Sequence, residues 1–373
     1  MRPAILFVLA STVLATVVLS GCTGSLPFFH PPVVYPALSP ESGRGDLATP
    51  EYPFRFERGE YTLAFPVDRG IYEAAAAQDK TATIYDESVG EDEWTAGLYR
   101  AMILDPAEIP AYDRVLGEFR VIRDEQDLDE DEYLELLASF VQQIPYRTGE
   151  VNAPLYPVET LVQGAGDCDD KSILLAALLS REGYRVSLLY FPDEKHMAVG
   201  VGATEGLYGD TGFAYVETTK FSLVGVAVFE LEGGTTLTSA PRVIPVSTGG
   251  TLYARCNETG YIWDARNEAI GRMEESGPEL NRTERDMEEL SARIDGMDAI
   301  LRSLRRGGSV SAYNARVEEY NRLVGEYNAV LERYRAIAEE YNRAVEIHNT
   351  IMSRLYDREG LYRDLSGGTG IQA

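Results

Sequence analysis

Three side chains in the middle of the chain have the types, order and spacing of a nucleophilic catalyst: Cys168, His196 and Glu217. A thiol at the start of a helix meets unpaired N–H groups and the positive end of the helix dipole, and both favour thiolate. The same N–H groups can hold the oxyanion formed during acyl transfer. An imidazole then acts as the base, and a third group orients it from a neighbouring strand. Of the three His, only His196 falls in the globular part; His30 lies in a Pro-rich stretch and His348 in a heptad series. Glu217 follows His196 across one hairpin, and Asp210, on the intervening turn, is the weaker choice. Thiolate attack on an amide gives an acyl-enzyme that water hydrolyses or an amine intercepts.

The neighbours add support and a conflict. Gln143 and Gln163 are candidate oxyanion donors. Asp167, Asp169 and Asp170 crowd the thiol, and carboxylates raise a thiol pKa. Asp170 is expected to turn inward as a helix-start residue, and Asp167 to face substrate. Neither a second His nor a CxxC accompanies Cys168, so no metal and no cofactor is expected. Cys256 leaves a Cys168–Cys256 bridge open. Taken singly, Cys168 and His196 read as core residues and Glu217 as a solvated strand-end carboxylate; their joint order carries the chemistry.

The elements that must position these groups are legible in the patterning. A glycine-bearing loop, Gly164-Ala165-Gly166, leads to Cys168, and an apolar helix continues until Gly183 ends it. Residues 186–191, 196–202 and 213–218 read as strands, with a turn over 205–210. Upstream, Tyr133, Leu134, Leu137, Phe140, Val141 and Ile144 repeat at helical spacing over 130–144. Asp127 or Asp129 caps that helix and Pro145 stops it. Residues 61–65 alternate as a strand, and 68–80, 93–104 and 110–122 read as helices. Residues 221–231 and 243–246 read as extra strands that close the domain.

This order resembles the transglutaminase-like superfamily, a papain-related group. Its pattern is a Gly-rich loop, a Cys opening a helix with an acid two positions on, a His starting a strand, and an acid ending the next strand. The matching residues are Gly166, Cys168, Asp170, His196 and Glu217. The phrase Phe140-Val141-Gln142-Gln143-Ile144-Pro145-Tyr146, with Pro157-Val158-Glu159-Thr160-Leu161, is similar to the helix and loop before this Cys in archaeal and bacterial members. The resemblance covers 130–222 well and 61–260 loosely. It implies an α+β domain in which the Cys-bearing helix packs on an antiparallel sheet. It also implies a cysteine peptidase or amide acyl-transferase acting on protein or peptide. One residue departs from the pattern: Glu217 stands where the superfamily usually has Asp, and its extra methylene still lets it reach an imidazole.

Met1-Arg2, an apolar run and Leu19-Ser20-Gly21-Cys22 resemble the signal and lipobox of a prokaryotic lipoprotein. That places a signal peptide at 1–22, a lipid on Cys22, and the rest at the outer face of the cytoplasmic membrane. The alternative is an uncleaved anchor, at roughly 17 apolar residues near the short limit for spanning. Residues 23–60, with Pro27, Pro31, Pro32, Pro36, Pro40, Pro50 and Pro53, read as a tether.

Beyond the globular domain (61–260), Leu280, Met287, Leu290, Ile294, Met297, Leu301 and Leu304 follow 3–4 spacing, with Thr283 in one slot. After Gly307-Gly308-Ser309, one row holds Val317, Val324, Leu331, Ala338, Val345 and Met352, and another holds Tyr313, Tyr320, Tyr327, Tyr334, Tyr341 and His348. This is an antiparallel coiled-coil hairpin over 261–357, with a flexible tail over 358–373. Its second helix outruns the first seam. Either the first helix extends past Gly277-Pro278, or the globular domain or a second copy covers the remainder. The arm reads as a spacer or a docking arm.

The net charge of -26 excludes nucleic acid as a partner. Residues 262–357 carry 19 acidic and 14 basic side chains, so most of the excess lies in the globular half. Two function classes remain: a cell-surface cysteine enzyme, or an inactive envelope module that binds a partner through its coiled coil.

Overall fold

The computed structural model describes residues 31–147, 153–227 and 236–367. Cys22 and His30 lie outside the described residues. The expected tether is, from residue 31, part of the folded domain. Strands β1 (Val33–Val34), β2 (Asp46–Ala48) and β3 (Tyr52–Phe56) fall in it, and Leu38, Tyr52, Phe54 and Phe56 are buried. Alternation in β3 turns its aromatic residues inward and Pro53 outward. Among the described residues β3 pairs only with β4 (Gly59–Leu63), so Pro53 removes no interior ladder bond there. β2 pairs with β5 (Pro66–Asp68). Aromatic burial outweighs the proline content that reads as a tether.

Helix α1 (Arg69–Ala77) is capped by Asp68. β6 (Thr83–Ile84) pairs with β1. α2 (Glu91–Ile103) and α3 (Ile109–Gln126) follow. α4 (Glu130–Gln143) starts at a capping box between Asp129 and Glu132. Asp127 instead ends α3 in the left-handed conformation, which decides between the two candidate caps. α5 (Pro157–Gln163) starts with proline in its first turn and stops at left-handed Gly164.

α6 (Cys168–Arg181) packs on β7 (Arg185–Phe191) and β8 (His196–Val201). With β9 (Ala214–Val216) and β10 (Arg242–Thr248) these strands form one antiparallel sheet, ordered β10-β7-β8-β9. The chain is therefore mixed α/β, with small antiparallel sheets and a C-terminal helical hairpin. Residues 221–227, expected as strand, contain none. Leu223 and Val226 instead bury against Ile262, Ile351, Leu355 and Leu361 at the base of the hairpin. Their apolar character serves that junction rather than a sheet.

α7 (Cys256–Gly307) is a single helix with Pro278 inside it. Ile262, Ala269, Ser276, Thr283, Leu290 and Met297 recur every seventh residue and are buried. The first helix thus extends past Gly277-Pro278 and covers α8 (Val310–Ser353) along its length. On α8 the buried residues are Leu323, Ala344 and Ile351, one position before the expected row. The Tyr row runs half-buried along the middle of the stripe, and Val324, Leu331, Ala338 and Val345 flank it, also half-buried. The expected tail forms helix α9 (Arg358–Ser366). Its Arg358 is 3% exposed and ion-pairs with Glu135 on α4 and Glu258 on α7, so α9 is held by charge as well as by Leu361. No described helix is long and apolar enough to cross a membrane.

Candidate active site

α6 begins where the sequence places it. Asp167 is the N-cap: its Oδ1 accepts the N–H groups of Asp169 and Asp170 at 3.0 and 3.2 Å. Asp170 completes a capping box, its Oδ2 accepting the Asp167 N–H at 3.1 Å and its Oδ1 the Leu155 N–H at 2.7 Å. Asp170 is turned inward, as expected. Asp167, expected to face substrate, has its Oδ1 occupied by the helix start. Two first-turn donors are thereby used, which leaves the Cys168 N–H as the remaining one there for an oxyanion.

β8 presents the imidazole. Lys195, immediately before it, adopts a left-handed conformation (φ 50) at the end of the β7–β8 turn. Strand alternation then puts His196 and Ala198 on the face shared with Tyr215 and Glu217, and Met197, Val199 and Val201 on the other face against α6. The thiol of Cys168 reaches the His196 end of β8, with Sγ 3.8 Å from the Lys195 carbonyl oxygen.

His196 Nε2 lies 3.4 Å from Glu217 Oε2 and 3.2 Å from the Tyr215 hydroxyl. That hydroxyl donates to the same Oε2 at 2.7 Å. Glu217 Oε1 accepts the N–H groups of Thr218 and Thr219 and the Thr219 hydroxyl, at 3.0, 2.8 and 2.6 Å. Burial alone would push the Glu217 carboxyl up. The hydrogen bond and charge of His196, with the bonds from Thr219 and Tyr215, overcome it and bring the group down to about 2. Asp210 is exposed on its turn, so Glu217 is the acid beside His196.

The thiol departs from expectation. Burial pushes its pKa up, and the Asp169 and Asp167 carboxylates push it further. Position at a helix start does not win, because the site is closed and doubly acidic. Asp169 accepts the thiol at 3.5 Å through Oδ1 and the Tyr99 hydroxyl at 3.1 Å through Oδ2. Burial first, then Asp167, raises the Asp169 carboxyl. Cys168 and Cys256 are both free, so the bridge left open by the sequence is not formed.

Of the two expected oxyanion donors, Gln143 is engaged in other hydrogen bonds, and Gln163 lies exposed. The Gln143 amide donates to the Arg55 and Ser139 carbonyls at 2.9 and 3.0 Å, which ties it to β3. Gln163 Oε1 accepts from Arg147 at 2.5 Å on the exposed surface. The adjacent Gln142 is the one that serves the site: its Nε2 donates to the carbonyls of Glu217 and Ser222, both at 2.9 Å. No sequence signal separates it from Gln143. Ser172, one turn after Cys168, donates to the Met197 carbonyl at 3.0 Å and pairs with the Thr218 hydroxyl at 3.0 Å. This buried clasp joins the neighbours of all three candidate catalytic residues. Tyr215 could have been found by strand period, two residues before Glu217.

Among the described residues, Asp167, Cys168 and Asp169 bring three ligand atoms within 4.8 Å, as do Glu57, Glu132 and Glu359. In the first trio Asp167 is committed to backbone N–H groups, and the arrangement brings no imidazole to a metal. No protein-family model, curated protein or solved structure matches this chain.

Proposed function

We propose that this chain is a transglutaminase-like cysteine enzyme, a peptidase or acyl-transferase, that acts on amide bonds of a protein or peptide. One observation carries the reading. The only imidazole of the globular part sits beside an ionised, buried carboxylate, at the strand end where a helix-start thiol arrives. Cys168 is the nucleophile, His196 the base and Glu217 the acid that orients it. Proton transfer from sulfur to His196 gives a thiolate, which attacks the carbonyl; water or an amine resolves the acyl-enzyme. A raised resting thiol pKa fits a nucleophile that ionises only as the imidazole takes its proton. The lipobox at Cys22 supports attachment to the outer face of the cytoplasmic membrane, and the arm supports contact with a partner. No cofactor enters the scheme.

The second reading, an inactive envelope module, draws on that same raised thiol. Iodoacetamide labelling of the full chain from pH 5 to 9, with the modified Cys located by mass spectrometry, decides between them. For an enzyme, Cys168 reacts and His196→Ala slows it by about a hundredfold or more, the range for a lost general base. If wild type is inert at Cys168 throughout, the binding-module reading replaces the enzyme.

A further inference from the structure

The direct contact between His196 and Glu217 is supplemented by a second, tighter route through Tyr215. At 3.4 Å the Nε2–Oε2 separation is long for a hydrogen bond, whereas the Tyr215 hydroxyl is closer to both atoms, 3.2 Å from Nε2 and 2.7 Å from Oε2. Glu217 Oε1 is filled by three donors from Thr218 and Thr219, so only Oε2 faces the imidazole. A carboxylate has no proton to give, so the single Tyr215 proton points at Oε2. Toward His196 the hydroxyl is then an acceptor, and the nitrogen it faces must be Nε2–H. The lone pair of the neutral imidazole is left on Nδ1.

We propose that Tyr215 is a positioning residue for the candidate base, holding His196 as its Nε2–H tautomer so that Nδ1 receives the Cys168 proton. The inference rests on the cysteine-nucleophile reading above. In the step itself the S–H bond breaks and the Nδ1–H bond forms. Thiolate and imidazolium result, and the tyrosine and glutamate keep their protonation states. The chain Nε2–H, Oη–H, Oε2 then spreads the imidazolium charge onto Glu217. Burial and the Glu217 charge keep the phenol protonated, its pKa raised well above the ordinary value, so it stays a neutral bridge. The titratable groups coupled to the imidazole are Asp169 from α6, and Tyr215 and Glu217 from β9 and its end, with the Cys168 thiol at the adjoining Lys195 carbonyl.

A purely packing role is separable, because the Tyr215 ring meets Phe191 and Tyr208 and Tyr215→Phe keeps those contacts. The decisive measurement is imidazole nitrogen NMR of the full wild-type chain at pH 8, with the three His signals assigned through His196→Ala. The expected state is protonated Nε2 and bare Nδ1. In Tyr215→Phe the preference relaxes, Cys168 alkylation at pH 7 slows about tenfold, as for one lost hydrogen bond to a charged group, and its pH profile moves upward. A wild-type Nδ1–H tautomer overturns the proposal without any variant. An unchanged tautomer and profile in a folded Tyr215→Phe, beside a slowed His196→Ala, removes Tyr215 alone. Unchanged profiles in both variants remove Tyr215 together with the Cys–His reading.

Discussion

Replacing Glu217 by Gln deletes one charge inside a fully buried network and keeps the side-chain shape. The wild-type carboxyl sits at about 2 against an ordinary 4.5. At about 1.4 kcal/mol for each pH unit between the two values, its ionisation in the folded state is worth on the order of 3 kcal/mol. The folded value is the lower one. That stability is therefore fully present above pH 4.5 and is lost as pH falls through 2. Glu217→Gln lacks it at every pH, so the difference between the two proteins is largest at pH 5 to 7 and less than about half of that at pH 3. A second, pH-independent part arises because the amide sets an NH2 against the Tyr215 hydroxyl and Nε2–H. Urea unfolding of both proteins at pH 3, 4, 5 and 7 measures the gap. Differencing cancels the many other carboxylates, which titrate alike in both. A gap that stays flat from pH 7 to pH 3 refutes an ionised, low-pKa Glu217. A gap near zero refutes the paired arrangement itself.

Ser172→Ala breaks the clasp and leaves the buried Thr218 hydroxyl short of a partner, at about 1–3 kcal/mol. The urea midpoint should fall with no change in slope, and an unmoved midpoint contradicts the clasp. Arg358→Met removes the guanidinium shared by Glu135 and Glu258, leaving Glu135 with the Tyr253 hydroxyl and Glu258 with Arg255, a loss of about 3–5 kcal/mol for a broken buried pair. Limited proteolysis should then cut at the base of the hairpin well before the globular part, and equal protection of both proteins counts against the junction. Glu108 is fully buried and burial pushes it up to about 8, against the pull of Tyr112 and the Val158 N–H. The unfolded chain ionises first, so stability is lost as pH rises from 4.5 to 8, and Glu108→Gln should gain on the order of 4 kcal/mol over wild type at pH 9. The two proteins should have nearly equal melting temperatures at pH 4; a gain of the same size at both pH values refutes the assignment.

Much of the site was legible because local rules set it. The Asp167-to-Asp170 capping box fixes where α6 starts, hence where Cys168 stands. The six-residue run of β8 begins at His196, and period two puts Tyr215 and Glu217 on one face. Helix and strand periods likewise marked α4, α6, β7 and β8. What failed were judgements about environment. Seven prolines read as a tether, yet Leu38, Tyr52, Phe54 and Phe56 in the same stretch pack into the core. Gln143 and Gln163 have the right chemistry for an oxyanion hole, but the Gln143 NH2 is engaged by the Arg55 carbonyl, and Gln163 is exposed with its carbonyl on Arg147.

The sequence by itself determined the order of thiol, imidazole and acid, the helix start beneath the thiol, and the heptads of a long hairpin. These depend on spacing and caps, which act within a few residues. Only the tertiary structure decided that Glu217 and not Asp210 meets His196, that a tyrosine hydroxyl contacts both, and that burial with Asp169 and Asp167 holds the thiol proton on. Each of these depends on which distant side chains share a closed space, and desolvation and charge act through that space rather than along the chain.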